Sequence, residues 1–189
     1  MARPREVTDE EILSKARQVF LEHGPSVSTS VIAKALGVSS ATLFHRFGSK
    51  SELMLTALLP PPPPVELLKF NPEVGLKEQL APLARLLQAY PGHDDRIRCL
   101  MQAGFQPSDV FKRYDKPPPV MMLEALTAFF QQAQDAGAVP QANARHQALA
   151  FMGSIKANHF FKHVVQHSAL DDEDAYVNDL LDMLLGGLS

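Results

Sequence analysis

The chain begins with apolar residues spaced three or four positions apart, as on one face of an amphipathic helix. Three such stripes follow one another in the first fifty residues: Ile12, Ala16, Val19 and Phe20; then Ile32, Ala33 and Leu36; then Leu43 and Phe47. Thr8 and Glu11 have the form of a capping box before the first stripe, and Gly24 can end that helix. The pattern predicts three short helices.

The second and third predicted helices are joined by a turn that contains a glycine. Ser28 and Ser39 are suitable N-caps, and Gly37 can adopt the left-handed conformation that ends a helix. The stretch from Val27 to Lys50 therefore has the organisation of a helix-turn-helix. The second helix of such a motif can enter the major groove of DNA.

Side chains on the outer faces of the third helix are the candidates to meet DNA. With Leu43 and Phe47 in the core, these are Ser40, Ala41, Thr42, Phe44 and His45. Phe44 fits the core equally well, and His45 is alternatively a solvated surface histidine. Ser49 and Glu52 form a further candidate capping box, which places Lys50 in a first helical turn whose backbone amides favour a phosphate.

These residues resemble the TetR (TetR/AcrR) family of bacterial transcriptional regulators. The segment IAKALGVSSATLFHRFGSKSEL follows the family pattern I-A-x-x-x-G-V-S-x-G-x-L-Y-x-H-F-x-S-K-x-x-L. The resemblance implies that Thr29 and Lys50 contact phosphate and that the candidates above, with Ser39 at the helix start, lie at or near the groove. Ala41 replaces the family's Gly and Phe44 its Tyr, so affinity or register is expected to differ from that of a typical member.

Five consecutive prolines, Pro60 to Pro64, make the sharpest break in the sequence, because proline lacks an amide donor and favours an extended chain. The sequence predicts a DNA-binding domain at 1–59 and a helical domain at 60–189, with the prolines as a spacer. A ligand for a proline-recognition module is the alternative. The resemblance implies that the helix starting at Lys50 connects the domains, but in this chain it must stop or kink by Pro60.

The second half has helical texture and no convincing alternating strand pattern. Helices are predicted from Leu76 towards Pro91, around Ile97 to Phe105, over Val120 to Ala136, from a cap at Asn143 to about His167, and after a cap at Asp171. A loop or broken segment is expected from Pro107 to Pro119. The expected fold is all-α, with an N-terminal three-helix helix-turn-helix domain and a C-terminal helical bundle.

The resemblance implies two roles for the bundle. The last two long helices are expected to form a four-helix homodimer interface through Phe151, Ile155, His159, Leu180, Leu181, Leu184 and Leu185. A cavity for a small hydrophobic or amphipathic effector is expected among Met101, Phe105, Met122, Phe129, Phe130, Met152 and Phe160. A terminal helix buried in a monomer and an ordinary core are the alternatives.

Charge is distributed unevenly over the 189 residues, whose formal net charge is -3. Residues 1–59 carry seven basic and six acidic side chains, and residues 60–189 carry eleven and fifteen. This weak asymmetry fits DNA binding at one end. No apolar run approaches the roughly twenty residues of a membrane span. No leader pattern opens the chain and Cys99 is its single cysteine, so we expect a cytoplasmic protein.

Other kinds of site have little support in the sequence. His159, His163 and His167 are spaced to share a helix face, but no further ligand is placed to complete a metal shell, so neither metal nor cofactor is predicted. The motifs of phosphate, dinucleotide and nucleophile sites are absent, which argues against an enzyme. The sequence predicts a repressor that a small effector releases from a palindromic operator. The alternative is a DNA-bound adaptor whose helical domain binds another protein.

Overall fold

The structure is a computed structural model that describes residues 7–89, 91–161, 165, 167, 170 and 172–186. Side chains at positions 67, 89, 91–94, 159 and 184–186 are outside this description. The described residues form ten α-helices and one short 3-10 turn at Val65–Leu67. The prediction of an all-helical fold is confirmed.

The ten helices follow one another along the chain as α1 Asp9–His23, α2 Thr29–Leu36, α3 Ser40–Phe47, α4 Lys50–Leu58, α5 Leu76–Ala89, α6 Pro91–Gln102, α7 Pro107–Phe111, α8 Pro118–Asp135, α9 Ala144–Phe160 and α10 Glu173–Gly186. Within the described part of the chain, no helix is both long enough and apolar enough to cross a membrane.

Side-chain caps set the starts of the first four helices, as the sequence predicts. Thr8 and Glu11 form a complete capping box. The hydroxyls of Ser28, Ser39 and Ser49 each accept a bond from an amide in the first turn of α2, α3 and α4. Only half of the predicted capping box at Ser49 and Glu52 is present. Ser49 accepts from the Glu52 amide, but the carboxylate of Glu52 accepts hydrogen bonds from Arg113.

Two helices begin in the stretch predicted as a loop or broken segment. Pro107 is the first residue of α7 and Pro118 is the first residue of α8. Proline is tolerated there because an amide at the first position of a helix has no carbonyl within the helix to bond. Of the two predicted alternatives, a loop or a broken segment, the structure has the second, because the short helix α7 is separated from α8 by residues 112–117. Phe105 also lies beyond α6, which ends at Gln102 ahead of Gly104 in a positive-φ conformation.

The last two helices differ from prediction at their ends. Helix α9 begins after the predicted cap Asn143, whose side chain accepts from the amide of His146, and its α-helical part ends at Phe160, beyond which Phe161 and Val165 are π-helical. An oxygen of Asp172 accepts from the amides at 174 and 175, and thereby caps α10. The predicted cap, Asp171, lies outside the described residues.

The chain divides into two compact units. The first consists of described residues within 1–61 and 92–115, and the second of those within 62–91 and 116–189. This division by compactness gives 92–115 to the first unit, whereas the sequence places it after the boundary at residue 60. The functional domains 1–59 and 60–189 stay a prediction.

The core of the first unit is built around the crossing of α1 and α4, with α2 and α3 packed beside them. Ile12 and Phe20 of α1 and Leu53 and Leu58 of α4 are fully buried in it. Cys99, Leu100 and Val110 belong to the same core. Since small helical domains bury a modest share of their surface, these later residues enlarge a core that three short helices would leave small.

The core of the second unit is formed by α5, α8, α9 and α10. A series of edge-to-face aromatic pairs runs through it, with ring centroids 5.6 Å apart for Phe70 and Phe129 and 6.2 Å apart for Phe130 and Phe151. Salt bridges from Lys77 to Asp182 and from Arg85 to Asp174 place α5 and α10 antiparallel.

The proline run ends α4 and also removes the donors that its last carbonyls would use. Helix α4 stops at Leu58, and residues 59–64 lie outside any helix. The residue four positions after Ala57, in the last turn of α4, is a proline without an amide hydrogen, and the carbonyls of Leu59 and Pro60 lie just beyond the helix. Side chains from other elements donate to these carbonyls instead.

Three side chains of the first unit make these bonds. Arg17 Nε lies 2.9 Å from the Ala57 oxygen and Arg96 Nη1 lies 3.3 Å from the Leu59 oxygen, while the hydroxyl of Tyr114 donates to the Pro60 oxygen. The break in the helix is thus accommodated by donors on α1, α6 and the chain after α7.

Removing the Tyr114 hydroxyl should destabilise the first unit, because the Pro60 carbonyl has no amide to replace it. We expect Tyr114→Phe to lower the free energy of unfolding by about 1–2 kcal/mol in urea titrations followed by circular dichroism. The control is Tyr176→Phe, which removes a 2.7 Å bond to the Ser154 carbonyl inside α9, where a helical amide also bonds that oxygen. Equal losses for the two variants would contradict this explanation.

Candidate nucleic-acid interface

The turn between α2 and α3 is closed by backbone hydrogen bonds. Gly37 has φ 68° and ψ 25°, the left-handed conformation that a side chain disfavours. Its amide bonds the last turn of α2, and the amide of Val38 lies 3.0 Å from the Ala33 oxygen. Behind the turn, Ile32 and Leu43 are buried. Local sequence therefore fixes the angle at which α3 leaves α2.

Helix α3 turns an outer face to solvent. Ala41, Phe44 and His45 are exposed, and Ser40 is half-buried. The exposed fraction of Phe44 is 42%, so this ring lies outside the core, while Phe47 packs against the core. Of the two interpretations of Phe44 that the sequence leaves open, the surface position is the one that the structure has.

Three of the predicted contact residues are hydrogen-bonded or buried within the protein. The hydroxyls of Ser39 and Thr42 share a hydrogen bond of 2.9 Å, and Ser39 also accepts from the Thr42 amide. Thr29, in the first turn of α2, is only 7% exposed. Its side chain is therefore packed into the first unit rather than presented to solvent, which the resemblance did not lead us to expect.

Lys50 is the first residue of α4 and is half-buried. Ser49, the N-cap, accepts from the amide of Glu52, which leaves the amides of Lys50 and Ser51 in the first turn without a helical carbonyl to bond. A lysine and two helix-terminal amides thus belong to the same first turn of α4. Such an arrangement suits an anion.

Arg46 is a residue that the sequence analysis missed. Its Nε lies 3.3 Å from a carboxylate oxygen of Asp9, and its Nη1 donates to the carbonyl of Val7. These contacts hold the exposed side of α3 to the start of α1. The TetR family pattern has His where this chain has Arg46, so the sequence shows the difference. It does not show that the partner is Asp9, which lies 37 residues earlier.

The residues predicted to line an effector cavity are divided between the two units. Met101 is 52% exposed and Phe105 is half-buried, and both belong to the first unit. Met122, Phe129 and Phe130 are buried in the core of the second unit, where Met152 packs against them, whereas Phe160 is 53% exposed. The predicted set is thus divided between the two units, and the effector cavity stays a prediction.

The residues predicted for a dimer interface are mostly used by the chain's own core. Phe151, Ile155, Leu180 and Leu181 are at most 4% exposed within a single chain. The side chains of His159, Leu184 and Leu185 lie outside the described residues. Among the described side chains of α9 and α10, the large apolar ones that are exposed are others, namely Leu149, Phe160 and Met183. Helical periodicity identified the apolar helices but not which stripe faces outward.

The single cysteine is packed within the first unit. Burial raises the pKa of the Cys99 thiol, an effect that the neighbouring Arg98 partly opposes. Its Sγ lies 3.5 Å from the Phe20 carbonyl and donates to it. The folded protein therefore keeps this group as a neutral thiol at neutral pH.

No group of three metal-ligating side chains is found among the described residues. The histidine series at 159, 163 and 167 lies largely outside them, since only His167 has a described side chain, and it is exposed.

Comparison with known proteins identifies the N-terminal helices. Residues 12–57 match the sequence model of the family described as bacterial regulatory proteins, tetR family. This segment runs from α1 to α4 and contains the helix-turn-helix and the Lys50 turn.

Solved structures match nearly the whole chain. A TetR family transcriptional regulator from Pseudomonas syringae pv. tomato str. DC3000 is 25% identical with a TM-score of 0.65, over 95% of this chain and 97% of that one. NalD, the secondary repressor of the MexAB-OprM multidrug efflux pump in Pseudomonas aeruginosa, is 23% identical with a TM-score of 0.58, over 94% and 93%. FadR from Bacillus subtilis in complex with stearoyl-CoA is 17% identical with a TM-score of 0.60, over 96% and 100%.

The capped helix-turn-helix, its exposed α3 and the anion-suited turn of α4 define a DNA-binding protein. Together with the family match at 12–57 and the fold match over the full chain, they identify a transcriptional regulator rather than an enzyme. The chain has the N-terminal segment and the fold of TetR family transcriptional regulators.

Proposed function

We propose that the protein is a homodimeric repressor that binds a palindromic operator and is released from it by a small hydrophobic or amphipathic effector. The observation that carries the proposal is the exposed outer face of α3 beside the Lys50 turn, in the segment that matches the TetR family. NalD, with the same fold, is described as a repressor.

In this proposal α3 enters the major groove and α4 contacts the sugar-phosphate backbone. Ala41, Phe44 and His45, with Ser40 beside them, face the base edges. Lys50 and the first-turn amides of α4 hold a phosphate. Because the side chain of Thr29 is buried, its contribution to a phosphate contact would come from its backbone amide at the start of α2.

A second copy of the chain would cover an apolar stripe on α9. Leu149, Gly153, Ala157 and Phe160 are spaced along one face of this helix, and both large side chains of the stripe are exposed. Gly153 has no neighbouring atom within 4 Å of the place where a Cβ would stand. Small residues between two large ones allow two α9 helices to approach closely, and pairing two chains presents two recognition helices to one palindrome.

The second unit offers the proposed effector an apolar environment and two buried amide nitrogens without a described partner, on Gln88 and Gln147. Met122 and Met152 lie among the phenylalanines of α8 and α9, and their flexible thioethers can repack around a guest. Gln88 Nε2 is buried and has no hydrogen-bond partner among the described residues. A buried amide of this kind favours a ligand that brings an acceptor. FadR, which has the same fold, is described in complex with stearoyl-CoA.

DNA contact by Lys50 and by His45 should have different signatures in binding assays. We expect Lys50→Ala to weaken palindromic and random duplexes alike and to reduce the slope of log affinity against log salt by about one. His45→Ala should change the preference among operator sequences, by roughly 1–3 kcal/mol at the base it reads. The measurement is fluorescence anisotropy with the DNA that flanks the gene, over a salt series.

Lys15→Ala is the matched control for charge, because this lysine lies on α1 and donates to Gln18. It should leave the affinity for both duplexes close to that of the parent protein. A parent protein with equal affinity for the palindrome and for random DNA would contradict the proposed function.

A charge on the α9 stripe should separate the dimer. We expect Leu149→Glu to shift the protein from dimer to monomer in sedimentation equilibrium, because the interface would bury an unpaired carboxylate. Leu21→Glu is the control, since Leu21 has a similar exposed fraction of 41% but lies on α1. A parent protein that is monomeric at the same concentrations would refute the assignment of this interface.

Effector binding should lower operator affinity through the second unit. We expect stearate or stearoyl-CoA, used as amphipathic probes, to weaken DNA binding by the parent protein, and Gln88→Ala to reduce that response while DNA affinity without probe stays the same. Gln131→Ala, at an exposed position on α8, is the control. A probe that binds the second unit and leaves DNA affinity unchanged would exclude this mechanism.

A further inference from the structure

The first turn of α4 carries a carboxylate whose partner comes from a distant part of the sequence. Arg113 Nη2 lies 2.9 Å from one carboxylate oxygen of Glu52 and 3.0 Å from the other. The side chains are 46% and 49% exposed, and both belong to the first unit. The pair therefore lies at the surface, 61 positions apart in sequence.

The position of Glu52 makes its charge important for DNA. It lies two residues after Lys50, within one helical turn, whose pitch is about 5.4 Å. The Debye length is about 10 Å at 0.1 M salt, so a phosphate held at this turn would experience the carboxylate with little screening. An unpaired Glu52 would repel the anion that Lys50 and the first-turn amides favour.

Holding the segment in place does not require this ion pair. Arg96 and Tyr114 already bond the carbonyls at the other end of α4, and Leu100 and Val110 are fully buried in the core of the first unit. Exposed ion pairs usually add little to folding stability. The expected consequence of the Arg113–Glu52 pair is thus electrostatic and lies at the first turn of α4.

We propose that Arg113 is a positioning residue for DNA binding, which acts by holding and neutralising the Glu52 carboxylate beside the phosphate site. This inference rests on the proposed function, because it takes the Lys50 turn as the place where a phosphate binds. It adds to the DNA-binding machinery a residue that lies far outside the matched segment 12–57.

A double-mutant cycle tests the proposal. DNA affinity is measured over a salt series for the parent protein, Arg113→Gln, Glu52→Gln and the double variant. Arg113→Gln should weaken palindromic and random duplexes alike, by about threefold at low salt and less at high salt. Glu52→Gln should bind as tightly as the parent or more tightly. The double variant should match Glu52→Gln, because without the carboxylate nothing remains for Arg113 to neutralise.

Two results of the DNA-binding measurements would overturn the proposal. One is an unchanged affinity in Arg113→Gln. The other is an equal loss whether or not Glu52 is present, accompanied by a salt slope lowered by about one, which would mean that Arg113 contacts a phosphate directly. A purely structural role would lower the unfolding midpoint of Arg113→Gln without rescue by Glu52→Gln, and it would also count against the proposal.

Two further variants control for charge and folding. Arg98→Gln removes the same charge from the same segment, but its partner is Asp95 at 2.7 Å within α6, so its DNA affinity should stay at the parent value. Arg113→Lys keeps the positive charge and should retain most of the affinity, which provides a test if Arg113→Gln folds poorly. Failure of the parent protein to bind DNA would refute the proposed function, whereas normal binding with an additive cycle would refute this inference alone.

Discussion

Five consecutive residues without a backbone amide impose the constraint on which the arrangement of the first unit depends. An α-helix ends with carbonyls that need donors, and the chain after α4 supplies prolines at the positions where those donors would stand. The carbonyls of Ala57, Leu59 and Pro60 are bonded instead by side chains from elsewhere in the unit. The end of α4 is therefore stabilised by tertiary contacts and not by its own sequence.

This constraint explains why residues 92–115 belong with the N-terminal helices. Arg96 and Tyr114 bond the end of α4, Arg113 pairs with its first turn, and Leu100 fills the core between them. The same segment thus contributes a cap, a charge and core volume to the unit that we propose binds DNA. Each contact is modest alone, but all of them fix one short helix that begins at the proposed phosphate site.

Local features could be predicted from sequence, and features that depend on distant partners could not. The caps Ser39 and Ser49 and the left-handed Gly37 are set by neighbouring residues, so their prediction is confirmed. The half-formed capping box at Glu52 was not predictable, because Arg113 competes for its carboxylate from far along the chain. Periodicity likewise marks Phe151 and Leu149 as residues of apolar helices, but only packing decides which of them is buried.

The first unit is discontinuous in sequence, and this has a consequence for its assembly. Its two stretches are separated by some thirty residues that belong to the other unit, so a ribosome must synthesise past residue 115 before the core can close around Leu100 and Val110. A fragment that ends at residue 59 would expose the apolar surface that these side chains cover. The helix-turn-helix of this chain is consequently not an independent module. A copy transferred to another protein would lack the side chains from 92–115 that complete its core.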